Sequence, residues 1–239
     1  MPRYKLVVEY DGTRFHGWQH QQDGTSVQEA VERAITAFSG ETRRIVAAGR
    51  TDTGVHATHQ VIHLDLDRAW PSRTIADAMN AHLKGKAVAI LEAYPVASTF
   101  DARLSAVKRH YLYRIINRRA FAVIDAGRAW QVKWPIDRDS MQAGADRLLG
   151  KHDFTTFRAA ECQAKSPLRT LDRLDIERDG HEIRIRASAR SFLHSQVRSM
   201  VGSLILVATG KWTPDDLEAV LKSCDRSRCG PLAPPEGLY

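Results

Sequence analysis

The stretch RYKLVVEYDGTRFHGWQHQQDGTSVQEAVERAITAFSG, Arg3–Gly40, changes its apolar period from two to about 3.6 partway along. Arg3 to Tyr10 alternates polar and apolar residues, which predicts a strand with one buried face. Asp11-Gly12-Thr13 then reads as a turn, followed by a loop crowded with rings, Phe15-His16-Gly17-Trp18-Gln19. Ser26-Val27-Gln28-Glu29 has the spacing of a capping box, in which a hydroxyl and a carboxylate close the first turn of a helix. Apolar residues at 27, 30, 31, 34, 35 and 38 give that helix a single buried stripe, and Gly40 ends it.

Further along, Arg43 to Ala48 and Thr58 to Leu66 read as strands, Ser72 to Leu83 as a helix, and Ala87 to Val96 as a strand. The first half therefore runs strand, helix, strand, strand, helix, strand. The second half follows a similar outline. Val107 to Asn117 alternates as a long strand, and Asp137 to Leu149 is a helix ended by Gly150. Leu171 to Arg178 and His181 to Ala187 flank Asp179-Gly180, a strong hairpin signal. Ser191 to Thr209 reads as a helix stopped by Gly210, and Thr213-Pro214-Asp215-Asp216 opens a last one with proline at its first position. The segment Cys229 to Tyr239 is irregular. Two copies of this outline predict an α+β chain of two ferredoxin-like (RRM-like) halves, 1–104 and 105–239. The repeat is one of element order, not of sequence.

Composition narrows the function. Thirty-five basic residues against 28 acidic ones leave a net charge of +7 over 239 residues, which favours a polyanionic partner. From Ala102 to Ile124 there are six basic residues (Arg103, Lys108, Arg109, Arg114, Arg118, Arg119) and no acid. From Ile183 to Pro214 there are five (Arg184, Arg186, Arg190, Arg198, Lys211), again with no acid. With Tyr111, Tyr113 and Phe192 interleaved, these stretches suit a surface that tracks phosphates and stacks bases; a solvated strand face with ordinary core aromatics fits composition equally well. No apolar run approaches the roughly 20 residues that span a bilayer, and Met-Pro-Arg-Tyr-Lys lacks the apolar core of a signal peptide. The expected location is cytoplasmic, where Cys162, Cys224 and Cys229 stay reduced.

Between two predicted strands lies Gly49-Arg50-Thr51-Asp52-Thr53-Gly54. By itself this is a glycine-bounded turn in which an aspartate caps its own backbone. Ala48 to Ala57, however, resembles the signature of the tRNA pseudouridine synthase A family. Other blocks resemble that family in order along nearly the whole chain: Tyr10 to Gln19, Ser26 to Glu29, Phe100 to Arg103, Lys108 to Arg114, Gly150 to Phe157, Phe192 to Gly202 and Ala233 to Leu238. The resemblance implies a pseudouridine synthase fold, two halves forming a joint, mainly antiparallel sheet with flanking helices and a central RNA-binding cleft. It implies Asp52 as nucleophile, Arg50 beside it, Tyr111 as the pocket aromatic, Arg198 as the basic partner of the aspartate, and Leu238 as an apolar wall. Arg109 and Arg114 fall within the Lys108 to Arg114 block and are expected to bind substrate. It further implies a homodimer, no cofactor, no metal, and tRNA as partner, modified at positions 38 to 40 of the anticodon arm.

The chemistry suits these residue types. Pseudouridine formation breaks the bond from ribose C1′ to uracil N1, turns the base and rejoins it through C5. A carboxylate can attack either ribose C1′ or uracil C6. In either route it must be ionised where water is excluded, and a guanidinium opposes the rise in pKa that desolvation brings. A tyrosine ring can stack on the extruded base, and its hydroxyl can move the C5 proton. His59 and His63, four strand positions apart, lie roughly 13 Å from each other, too far for one metal. Ser191, His194 and Ser195 sit on an expected helix without the sharp turn of a nucleophilic serine. A methyltransferase would need a Gly-rich turn after the first strand, which Asp11-Gly12-Thr13 is not. The rival reading is a non-catalytic RNA-binding or chaperone-like protein on the same scaffold, which would not require Asp52, Tyr111 and Arg198 together.

Overall fold

The computed structural model describes residues 1–20 and 25–239, which divide into two compact units, Met1–Val107 and Lys108–Tyr239. In the first unit, β1 (Arg3–Tyr10), α1 (Val27–Ser39), β2 (Val46–Ala47), β3 (Ala57–Asp65), α2 (Ser72–Leu83) and β4 (Val88–Val96) form an antiparallel sheet in the order β2-β3-β1-β4. That is the ferredoxin-like order, with the first strand central. The alternation in β1 sends Tyr4, Leu6, Val8 and Tyr10 to one face, against Ile62 and Leu64 of β3 and Ile90 of β4. The stripes of α1 (Val27, Val31, Ile35) and α2 (Ile75, Met79, Leu83) pack into the same core. Each such side chain contributes roughly 1.5–3 kcal/mol by leaving water.

Local chemistry fixes the helix ends. The Ser26 hydroxyl accepts the Glu29 amide at 3.1 Å, and Gly40, at φ 76°, turns the chain out of α1. Glu29 directs its carboxylate to Arg33, one turn along the helix. The expected strand Arg43–Ala48 contracts to Val46–Ala47 because Arg43 is drawn to Glu41 and Asp67, which bends the edge away from the ladder.

In the second unit, β5 (Arg109–Asn117), β6 (Trp130–Val132), β7 (Gly150–Asp153), β8 (Leu168–Asp179) and β9 (Glu182–Ala189) form a second sheet, ordered β6-β5-β9-β8-β7. The expected joint sheet is thus two hydrogen-bonded sheets, one in each unit. The helices are α3 (Arg138–Asp146), α4 (Gln196–Ala208) and α5 (Pro214–Lys222). β5, β9 and β8 repeat the antiparallel centre of the first sheet. The fourth-strand place beside β5 is shared. β6 pairs there in parallel at Ile115–Asn117, while at the other end Leu112 and Tyr239 exchange backbone hydrogen bonds of 3.0 and 2.8 Å.

Among the boundaries in this unit that differ from the sequence expectation, three have a plain local reason. The hairpin pairs Asp179 with Glu182, so its loop is Gly180-His181; glycine takes the first loop position at φ 56°. α4 starts at Gln196 rather than Ser191, because Ser195 is left-handed at φ 58° and the Gln196 side chain accepts the Leu193 amide. α3 starts one residue after Asp137, whose carboxylate accepts the amides of Asp139 and Ser140 as an N-cap. α5 opens with the proline expected at its first position, and Thr213 and Asp216 also close a full capping box there. No helix is long and apolar enough to cross a membrane among the described residues.

Candidate active site

Asp52 lies half-buried in the loop between β2 and β3. Its carbonyl accepts the Val55 amide at 3.2 Å, and Gly54 at φ 77° completes the turn. The ring-rich segment after β1 clamps this loop at several points. The Trp18 amide donates to Thr51 O at 3.0 Å, and the Gly54 amide to Phe15 O at 3.3 Å. The Tyr10 and Thr51 hydroxyls share a hydrogen bond of 2.8 Å, and the Gly12 amide donates to Nδ1 of buried His56 at 3.0 Å. Phe15, Trp18 and Val55 are buried beneath.

Glycine is required at two of these contacts. A Cβ on Gly12 would stand 2.0 Å from Val55 O, and one on Gly17, at φ 84°, would stand 2.9 Å from Thr51 O. The main chain is therefore pinned on both sides of Asp52. Arg50, in the same loop, is exposed.

The remaining sequence candidates lie in the second unit. Tyr111 sits on β5 opposite Ala187, its ring edge-on to Phe192 with centroids 5.1 Å apart. Arg198, in the first turn of α4, donates from Nε to Ala233 O at 2.8 Å, and its carbonyl accepts the Ala233 amide at 3.2 Å. Leu238 is buried and bridges to Tyr113. The closing segment thus ties the helix of Arg198 to the strand of Tyr111. Tyr113 belongs to that tie: its hydroxyl donates to Pro234 O at 2.7 Å, and burial pushes its pKa far above the usual phenol range. It is a structural tyrosine on the alternating strand.

The basic stretches look different in space. Arg114 pairs with Glu182 at 2.7 Å and with Asp125 at 2.8 Å. Burial opposes its charge, but hydrogen bonds to Glu182, Tyr239 and Asp125 outweigh it and raise its pKa. Lys108 meets Asp172, Arg184 meets Glu182, and Arg186 meets Glu177. The acids missing from the linear stretches arrive from ladder neighbours and an adjoining loop, so much of the positive charge there is already matched. Arg109 donates to Arg190 O at 2.7 Å. Sequence reasoning offered Phe192 only as one of several stacking rings, and assigned no site role to Tyr10, Gly12, Gly17 and His56, which hold the Asp52 loop; the ring-rich segment Phe15 to Gln19 was the available signal.

The tRNA pseudouridine synthase family profile matches residues 6–104 and 145–239. The chain is 59% identical over its full length to the tRNA pseudouridine synthase A of Sinorhizobium medicae, of which it covers 98%. It is 60% identical to those of Xanthobacter autotrophicus and Beijerinckia indica subsp. indica, again over its full length, covering 98% and 92% of the relatives. The chain belongs to the tRNA pseudouridine synthase family. The mixed α/β architecture, with a sheet and packed helices in each unit, is consistent with that family's fold.

Proposed function

We propose that this chain converts uridine to pseudouridine in the anticodon arm of tRNA, at positions 38 to 40, with Asp52 as nucleophile. Isomerisation of uridine in tRNA follows from the family, and the names of the relatives give no support to a non-catalytic binding protein. The observation that carries the assignment to Asp52 is the clamped loop: hydrogen bonds and glycine contacts fix its backbone on both sides. A nucleophile gains most from such fixed placement, because the entropy of alignment is lost before substrate arrives.

In this reading the target uridine leaves its stack, at a cost of a few kcal/mol, and rests against Tyr111 with Leu238 as an apolar wall. Asp52 attacks ribose C1′ or uracil C6, the base turns, and the Tyr111 hydroxyl takes part in removing the C5 proton. Arg50 and Arg109 hold backbone phosphates. Arg114, engaged by Glu182 and Asp125, positions β5 instead. The test uses tRNA carrying tritium at C5 of a single uridine. Label at 38, 39 or 40 is expected to enter water, and label elsewhere to stay bound; release independent of position would defeat the assignment.

Arg198 is proposed to be the basic partner of Asp52, holding the carboxylate in place for attack. Arg198→Met is expected to lower single-turnover rates tenfold or more, on the order of one lost charge-assisted contact. An unchanged single-turnover rate in the folded variant would assign Arg198 to structure alone.

A homodimer located in the cytoplasm completes the reading. Phe121, Val123 and Ile124, between β5 and β6, are 73%, 65% and 85% exposed, an apolar run that a second copy would cover. Solution scattering of monomer mass at micromolar protein would exclude the dimer.

A further inference from the structure

A cavity of about 190 Å³ opens at the end of the second sheet, lined by Lys151, Leu168, Arg169, Thr170, Arg190 and Ser191. The strand register builds it. Lys151 on β7 pairs with Thr170 on β8, and Leu171 pairs with Ala189 on β9, so the chain leaves β9 at Arg190 beside Thr170. Three cations and two hydroxyls therefore line one opening without a carboxylate. No ion pair involves Lys151, Arg169 or Arg190 among the described residues. This separates them from Lys108, Arg114, Arg184 and Arg186, whose charges are matched.

Arg169 adds a second observation. Its Nη1 donates to Ser166 O and Leu168 O at 2.9 and 2.7 Å, which fixes the guanidinium plane. Its Nε is buried and has no hydrogen-bond partner. Burial pushes the Arg169 pKa down, with only the Cys162 sulfur acting weakly against it. A buried guanidinium nitrogen without an acceptor is costly, and a bound oxyanion would remove that cost.

We propose that Lys151, Arg169 and Arg190 form a site for a phosphate group of the substrate RNA backbone, with the Thr170 and Ser191 hydroxyls completing its hydrogen bonds. The site rests on the tRNA reading above and adds to it residues that handle no part of the uridine. Arginine supplies flat, directional donors for two phosphate oxygens, while lysine supplies a point charge at the rim. Such a contact locates RNA without reading its sequence.

The experiment measures tRNA affinity by fluorescence anisotropy between about 50 and 200 mM salt. It compares the native protein, Arg169→Gln, the double variant Lys151→Gln/Arg190→Gln, and a control of equal charge change, Arg33→Gln/Arg73→Gln, on the exposed faces of α1 and α2. Both pocket variants are expected to bind tRNA roughly three- to tenfold more weakly, with the log–log salt slope reduced by about one, the signature of one lost phosphate contact. The double variant carries the test if Arg169→Gln fails to fold, since Lys151 and Arg190 are exposed. Unchanged slopes, or an equal change in the control, would overturn the site. Calorimetry with inorganic phosphate is the third arm: phosphate binding lost in the variants while tRNA affinity holds would assign a free anion and overturn the RNA contact. Tritium release by the native protein is scored separately, so failure of the isomerase reading is distinguishable from failure of the pocket.

Discussion

Asp52→Asn is expected to reduce tritium release from C5-labelled tRNA by roughly four orders of magnitude or more, the scale of losing a covalent nucleophile. The substitution is chosen to separate two roles. As a turn residue, aspartate and asparagine are nearly equivalent, since both side chains can bond to backbone two residues on. The turn itself is closed by main chain, Asp52 O to Val55 N, and is held from outside by Trp18, Phe15, Tyr10 and Gly12. Thermal stability of the variant is therefore expected to stay within about 0.5 kcal/mol of the parent, as for surface changes. Affinity for tRNA should not fall, because a negative charge has been removed from a site that meets a polyanion. Retained turnover in a well-folded Asp52→Asn protein would end the nucleophile assignment and leave the capping role.

The second large effect is on stability. Gly202, within α4, faces the closing segment so closely that a Cβ there would stand 1.6 Å from Pro231 O, with Pro231 C at 2.8 Å. The obstacle is backbone, so no rotamer change relieves it. The same crossing holds the Gly230 amide on the Ser203 hydroxyl at 3.0 Å, and Ala233 on Arg198. Gly202→Ala is expected to cost about 3 kcal/mol, as for a severe overpacking, and to lower Tm by about 6–12 °C in calorimetry. Gly144→Ala is the control in α3. Its Cβ would meet only the side-chain tips of Leu204, Leu217 and Val207 at 3.3–3.4 Å, while helix propensity improves by about 1 kcal/mol. The two changes are expected to differ clearly. Equal melting temperatures would show that the closing segment does not lie on α4 as described.

Long periodic elements were legible in the chain. β1 and α2 have the boundaries that alternation and the helical stripe imply, and α1 ends at the glycine expected to end it. What escaped depends on partners distant in sequence. β6 has three residues, too few to show a period, and exists because β5 offers a free edge at Ile115–Asn117. β7 likewise exists through its ladder with Leu168–Leu171. Apolar periodicity continued before Gln196, yet the helix does not, because the left-handed Ser195 and the Gln196 side chain end it. The basic stretches were read as acid-free, and the ladders then supplied Glu182 to Arg114 and Glu177 to Arg186. At the candidate site, the role proposed for Asp52 rests on the ordered resemblance of the chain to a family. Glycine spacing could not reveal that Gly12 and Gly17 serve the same loop, because that contact spans some forty residues of chain.

The sharing of the fourth-strand place by β6 and Leu238-Tyr239 has a consequence for the order in which the protein assembles during synthesis. The first sheet has all its strands once Val96 has been made, whereas the second lacks Leu238 and Tyr239 until the closing segment follows. At about 5–20 residues per second, the first unit has on the order of ten seconds in which to fold with its own sheet complete. From the synthesis of β5 until the closing segment arrives, its edge at Leu112 and Tyr113 is an unpaired strand, open to wrong partners.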